Sequence, residues 1–240
     1  MRVPALPVSP APRLLRTYGA RRPRGVLLLL HGGTDVSRVP ASRWGPSTLR
    51  MLPVAAAAAW SDRGRRRVAV VRLVNALQGW NGAEQSPVRD ARWALAQLRR
   101  RWPDVPIAVV GHSMGGRAAL HVAGEDSVAL VVGLAPWVTP VETPSMLAGQ
   151  RVVLLHGTDD TITSPAASAD LVRRARGVAG SAVLVRLPGQ GHTLLGHGDA
   201  AGRLAAAVAM TVLTGNATAP GRHAGVLARA LRAELPVIEA

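Results

Sequence analysis

Ser113 lies in the run Ile107-Ala-Val-Val-Gly-His-Ser-Met-Gly-Gly-Arg117, where an apolar stretch ends in Gly111-His112-Ser113-Met114-Gly115 and passes at once into a helical pattern. A Gly-x-Ser-x-Gly sequence at a strand-to-helix junction is the setting in which a serine acts as a nucleophile. The turn must be tight, because side chains at the glycine positions would collide with neighbouring backbone. It lifts the hydroxyl above the strand ends, and the helix N-terminus beneath it favours developing negative charge. A serine at its ordinary pKa needs a base, and the chain has seven histidines. His31 and His156 each precede glycine at the end of an expected strand and read as structural. His112 adjoins Ser113, with its side chain expected to point away from the nucleophile. His121 falls within a helix and His223 near the C-terminus. His192, in Gly189-Gln-Gly-His192, directly follows the apolar run Ala182–Leu187. It therefore sits at a strand's C-terminal edge, where catalytic groups gather; His197 lies further along. The group that orients the base should fall between serine and histidine, after another strand. Asp159 and Asp160 both qualify, and spacing alone does not separate them.

The elements that must position these residues alternate. Apolar runs at Val26–Leu30, Val68–Val74, Pro106–Val110, Val128–Leu134, Arg151–Leu155 and Ala182–Leu187 read as strands buried on both faces. Arg13–Tyr18 reads as a short edge strand. Helical patterns lie between them at Ser47–Ser61, Pro87–Arg101, Met114–Ala123, Pro165–Arg176 and Ala200–Leu213. Such alternation predicts an α/β fold: a mostly parallel sheet of about six or seven strands with helices on both faces. The whole chain, 1–240, reads as a single domain. Residues 1–12 are Pro-rich and expected to form an irregular arm. Residues 215–240 are expected to form an extra helix or a tail, with Val226, Leu227, Leu231 and Leu235 on one helical face.

The composition excludes several chemistries. With 240 residues and 48% hydrophobic content the chain is long enough to bury a core without staples. It has no cysteine, which removes a disulfide scaffold, a thiolate metal site and a cysteine nucleophile. No His pair has zinc-ligand spacing, so neither metal nor cofactor is expected. The net charge is +15, yet all 29 basic residues are arginine and Phe is absent. That joint depletion reads as GC-rich codon bias, and the clusters Arg65–Arg67 and Arg99–Arg101 as solvated caps at helix ends. Neither a nucleic-acid nor a membrane partner is expected from it. Arg21-Arg22-Pro23-Arg24 before Val26–Leu30 imitates an export signal. The apolar run is too short for one and no cleavage site follows, which points to the cytoplasm.

The order Ser113, Asp160, His192, with His31-Gly32 closing an early strand, resembles the α/β-hydrolase superfamily over about residues 24–213. In that family the loop after the acid-bearing strand commonly reads His-Gly-x-x-Asp, with an aliphatic residue two positions on. His156-Gly157-Thr-Asp-Asp160 and Ile162 match it, so the resemblance implies Asp160 as the acid. It also implies an oxyanion hole from the backbone N–H groups of Met114 and Gly33, with Thr34 as the near alternative. A serine nucleophile departs from the dehalogenase and epoxide-hydrolase branches. The roughly fourteen residues Val138–Arg151 are too few for a helical cap, which predicts an open site. Leu134-Ala-Pro-Trp137 is similar to a stretch of lidless cutinase- and dienelactone-hydrolase-like members. Trp80, Trp137, Met114 and Ile162 map to loops at the catalytic edge, where they and Thr34 could line a pocket. The function implied is hydrolysis of carboxylic esters or thioesters of small soluble molecules through an acyl-enzyme. The alternatives are a peptidase or acyltransferase using the same triad, or a non-catalytic ligand-binding protein on this fold.

Overall fold

The computed structural model describes residues 10–215, 225–226, 229–230 and 237–239, with the side chains of residues 197–198 excepted. Its centre is one eight-stranded sheet in the order β1-β3-β2-β4-β5-β6-β7-β8. The strands are β1 (Arg13–Gly19), β2 (Gly25–Leu30), β3 (Val68–Val74), β4 (Ile107–His112), β5 (Val128–Leu134), β6 (Arg151–Gly157), β7 (Ser181–Leu187) and β8 (Val237–Glu239). β1 runs antiparallel to β3 and every other neighbouring pair is parallel.

The two-residue period of a strand divides the core into two layers. Val26, Leu28 and Leu30 of β2 pack on one face with α3 (Ser86–Arg101), α4 (Met114–His121) and α5 (Pro165–Ala175). Leu27 and Leu29 pack on the other with α2 (Leu52–Ser61) and α6 (Gly196–Thr214). All six residues of β2 are buried, and each such leucine contributes about 1.5–3 kcal/mol through burial.

Several boundaries differ from the sequence expectation, each for a local reason. The helix expected over Ser47–Ser61 is broken into α1 (Pro46–Leu49) and α2. Pro53 lacks the N–H that would continue the ladder, and its ring would meet the carbonyl of Leu49. Pro103 forces Trp102 out of the helical region (φ −140°, ψ 81°), which ends α3 at Arg101. The sheet also gains β8 in the region expected to be helix or tail; it pairs parallel with β7 through Val237 opposite Leu184. The rest of that expectation, including Leu227, Leu231 and Leu235, falls outside the described residues, as do His223 and most of the N-terminal arm. Between β5 and β6 only a 3-10 turn, Pro144–Leu147, interrupts the loop, so no cap is inserted there. Among the described residues no helix is long and apolar enough to cross a membrane.

Candidate active site

The turn between β4 and α4 holds Ser113 at φ 54°, ψ −118°, a conformation that a non-glycine residue rarely adopts. Such strain costs on the order of 1–3 kcal/mol and persists only where surroundings enforce it. Here they do. The Ser113 N–H donates to Leu134 O at 2.9 Å, and Ser113 O accepts from the N–H groups of Arg117 and Trp137, both at 3.1 Å. A Cβ on Gly111 would stand 2.1 Å from Gly115 O, and one on Gly115 would stand 2.5 Å from His31 O. The glycines of the motif are therefore required by close approach.

The loop after β6 separates the two aspartates. Asp159 is exposed, and its carboxylate accepts from its neighbour Thr158. Asp160 is turned inward, and its Oδ2 lies 2.9 Å from His192 Nδ1. The same oxygen accepts the Thr163 hydroxyl at 2.7 Å and faces His156 Nε2 at 3.1 Å. Oδ1 accepts the N–H groups of Ile162 and Thr163 at 2.8 and 2.9 Å. Burial acts to raise the Asp160 pKa, but the Thr163 N–H, His192, the Thr163 hydroxyl and the Ile162 N–H outweigh it and hold it at about 2. Asp160 is thus a carboxylate throughout the physiological range. It can only accept, so His192 Nδ1 carries a proton towards it and leaves Nε2 free for proton transfer. The hydrogen bonds of the His192 ring run to Asp160 and Thr163 rather than to Ser113; such links commonly tighten only with substrate bound.

Three histidines expected to be structural or bystanders support this arrangement. His156 Nε2–H donates to Asp160, and its Nδ1 accepts the Ser168 hydroxyl at 2.8 Å. Burial lowers its pKa, against the pull of Asp160, so the ring is neutral. His31 Nδ1–H donates to Gly32 O at 2.6 Å while Nε2 accepts the Asn75 N–H at 3.1 Å, fixing the Gly32-Gly33 turn. His112 packs against the loop that carries His192. Its ring centroid lies 5.0 Å from that of His192, and Nε2–H donates to His192 O at 3.0 Å. Burial lowers the His112 pKa from 6.5 to about 4. Arg50, at the break between α1 and α2, secures the same loop by donating from Nε to Thr193 O at 2.5 Å.

The backbone donors expected to form an oxyanion hole differ in their partners. The Thr34 N–H is occupied by Gln78 O at 3.0 Å, which removes it as a donor. Gly33 stands against Met114: a Cβ there would lie 2.5 Å from Met114 Cε and 2.2 Å from Gln78 O. The Met114 N–H, at the first position of α4, is among those with no partner inside the helix. The Met114 side chain is buried, so it does not line an open pocket.

Trp137 is half-buried beside Ser113 and Trp80 is buried behind it, their rings 6.1 Å apart and edge-on. Trp80 thus supports the site wall from behind. Arg117 lies against both indoles, 4.0 Å from Trp80 and 4.6 Å from Trp137. Its Nε donates to Glu142 Oε1 at 2.7 Å, and His121 reaches the same oxygen at 2.9 Å. Burial acts to raise the Glu142 pKa, but His121, Arg117 and Thr139 bring it down to about 2. Ile162 is 71% exposed and lines no enclosed cavity. Sequence reading missed the supporting roles of His112, Arg50, Arg117 and Glu142. For His156 a signal existed: it lies four residues before Asp160 within the His-Gly-x-x-Asp pattern. Among the described residues no group of three His, Cys, Asp or Glu side chains could hold a metal.

Comparison with known proteins bears on the fold. The S33 serine aminopeptidase family matches residues 75–153, a stretch that includes Ser113 but ends before Asp160 and His192. No curated protein matches the chain. Among solved structures, Est1E from Butyrivibrio proteoclasticus, with ferulic acid bound, is 14% identical, with a TM-score of 0.60 over 81% of this chain and 92% of that one. A lidless α/β serine hydrolase from Xanthomonas campestris is 18% identical, with a TM-score of 0.51 over 94% and 88%. An esterase from Pyrococcus furiosus is 15% identical, with a TM-score of 0.57 over 72% and 76%. At such identities the likeness is one of fold.

Proposed function

From the premise that this chain has the α/β-hydrolase fold without a cap, we propose that it is a serine hydrolase acting on carboxylic esters or thioesters of small soluble molecules. The observation that carries the reading is the 2.9 Å contact between Asp160 and His192 at the sheet edge where Ser113 occupies its strained turn. Ser113 Oγ attacks the acyl carbonyl while His192 Nε2 takes the hydroxyl proton. The N–H groups of Met114 and Gly33 receive the oxyanion, a contribution of about 3–4 kcal/mol per donor in the transition state. On collapse His192 gives its proton to the departing alcohol or thiol. Water, deprotonated by the same imidazole, then attacks the acyl-enzyme, and the proton returns to Ser113 as the acid leaves. Asp160 stays ionised and stabilises the transient imidazolium.

Hydrolysis of p-nitrophenyl esters from acetate to decanoate by the native chain and by Ser113→Ala tests this. A rate lost in the variant, with the Ser113 hydroxyl labelled by a fluorophosphonate in the native chain, is expected. Equal rates in both, or no labelling, would overturn it. The match to serine aminopeptidases favours one second reading, a peptidase using the same residues. Faster turnover of aminoacyl anilides than of the esters would establish it.

A further inference from the structure

At the edge of the sheet opposite Ser113, topology gathers arginines that are scattered in the sequence. β3, β2 and β4 are adjacent in the sheet, and their N-terminal ends lie on that edge. Arg65–Arg67 precede β3; Arg21, Arg22 and Arg24 precede β2; Arg99–Arg101 close α3 before β4. Backbone contacts tie the three segments together. The Arg24 N–H donates to Arg67 O at 2.7 Å, and Trp102 Nε1–H donates to Arg21 O at 3.0 Å. The strip continues to Trp60, at the end of α2, which is 68% exposed with the Arg63 guanidinium 3.5 Å over its ring. Of the acids beside the strip, Asp62 is buried with one oxygen on the Val68 N–H, Asp104 between α3 and β4 is exposed, and Glu125 lies 3.9 Å from Arg99, so the guanidinium groups outnumber the carboxylates. At the other end lies an open groove of about 560 Å³. Leu14, Val71, Leu98 and Trp102 form its apolar side, and Arg16, Arg100 and Arg101 its cationic side.

Codon bias explains why these residues are arginine rather than lysine. It does not explain why they share one edge of the sheet. We propose that this strip docks the protein on an anionic phospholipid surface, with the guanidinium groups on headgroup phosphates and Trp60 as the interfacial anchor. An exposed indole under a guanidinium has the amphipathic character of a residue at the headgroup boundary. An apolar floor beneath a cationic rim suits an amphiphile better than a hydrated sugar–phosphate chain. Docking by this edge leaves the Ser113 edge facing away from the membrane, and the proposal stands independently of the hydrolase reading.

The test is co-sedimentation of the full chain with vesicles of phosphatidylcholine alone and of equal parts phosphatidylcholine and phosphatidylglycerol. Binding to the anionic vesicles alone is expected, weakening as salt screens the charges. Each arginine removed near such a surface should weaken binding about fivefold. The triple variant Arg65→Glu, Arg66→Glu, Arg100→Glu should therefore lose at least about a hundredfold. The triple variant Arg38→Glu, Arg43→Glu, Arg89→Glu, with the same net charge but off the strip, should bind far better. Trp60→Ser should weaken binding severalfold, and Trp60 emission should shift to the blue on binding. Thermal unfolding checks that each variant folds. Equal binding to neutral vesicles, no binding, or equal losses in the two triple variants would overturn the proposal. So would tighter binding to duplex DNA at matched phosphate concentration, which would identify the partner as nucleic acid.

Discussion

His112 Nε2–H donates to the backbone carbonyl of His192 at 3.0 Å, so the residue before Ser113 holds the loop that carries His192. The two ends of the proposed relay are thereby tied through one buried, neutral ring. His112→Ala leaves the His192 carbonyl without this donor, at a cost of about 1–3 kcal/mol, and frees the loop. The expected outcome is a ten- to hundredfold fall in kcat with a smaller change in KM, and a lowered Tm. A variant that loses Tm but keeps kcat would make His112 purely structural.

The contact from His156 to Asp160 gives a second, separable prediction. His156→Phe removes a donor from the Asp160 carboxylate, while His156→Gln can restore one. We expect kcat to fall about tenfold in the first and largely recover in the second, on the scale of one net hydrogen bond to a charged group. Equal losses in both variants, read from kcat on a soluble ester, would mean that ring packing matters and the bond does not.

Acid should weaken the fold earlier than carboxylate titration alone would. Burial lowers the pKa of His31, His112 and His156 in the folded chain. Below the ordinary value of 6.5 the unfolded chain takes up protons that the folded chain refuses. Stability is therefore fully present above 6.5 and declines as pH falls towards about 4, the His112 value. Asp160 and Glu142, both held at about 2, extend the decline below the usual carboxylate range. Urea midpoints should hold between pH 8 and about 6.5 and fall from there to pH 4, and His112→Asn should flatten part of that slope.

Glu142→Gln should be severe although Glu142 touches none of the proposed triad. It leaves the buried Arg117 guanidinium without its carboxylate, a loss of about 3–5 kcal/mol for a broken buried pair. In a chain of this size each kcal/mol lowers Tm by about 2–4 °C. A Tm within a degree of the native value would show that the Trp80–Arg117–Trp137 stack holds itself.

Gly33→Ala is expected to lower kcat by about 10²–10³-fold, the effect of losing one oxyanion donor. Its Cβ would meet Gln78 O at 2.2 Å, so the backbone must shift. Thr34→Ala, whose N–H is already bonded to Gln78, should retain near-native kcat on the same ester.

The strand framework was legible because buried parallel strands are written as short Val- and Leu-rich runs; Val68–Val74 and Val128–Leu134 were placed to the residue. The glycines around Ser113 were legible for the same kind of reason, since close backbone approach admits no alternative. β8 was not legible: a three-residue strand is defined by its partner β7 rather than by its own pattern. The choice between Asp159 and Asp160 needed the family's loop pattern, because adjacent residues differ only in which way the turn directs them. The Arg117–Glu142 pair spans 25 positions, and nothing local marks either residue as the other's partner. The gathering of arginines at one edge was hidden likewise, since strand order does not follow chain order.

The connection from β5 to β6 is nailed to α4 through Thr139, Glu142 and Arg117, at the place where many relatives of this fold insert a cap. With only a 3-10 turn inserted there, bulk solvent would reach the acyl-enzyme of the proposed mechanism as readily as the first substrate does. In the competition among acyl acceptors this favours water, present at the highest concentration, over any alcohol or amine that a closing cover would be needed to retain. On the proposed mechanism the open edge thus favours release of the acid over transfer of the acyl group.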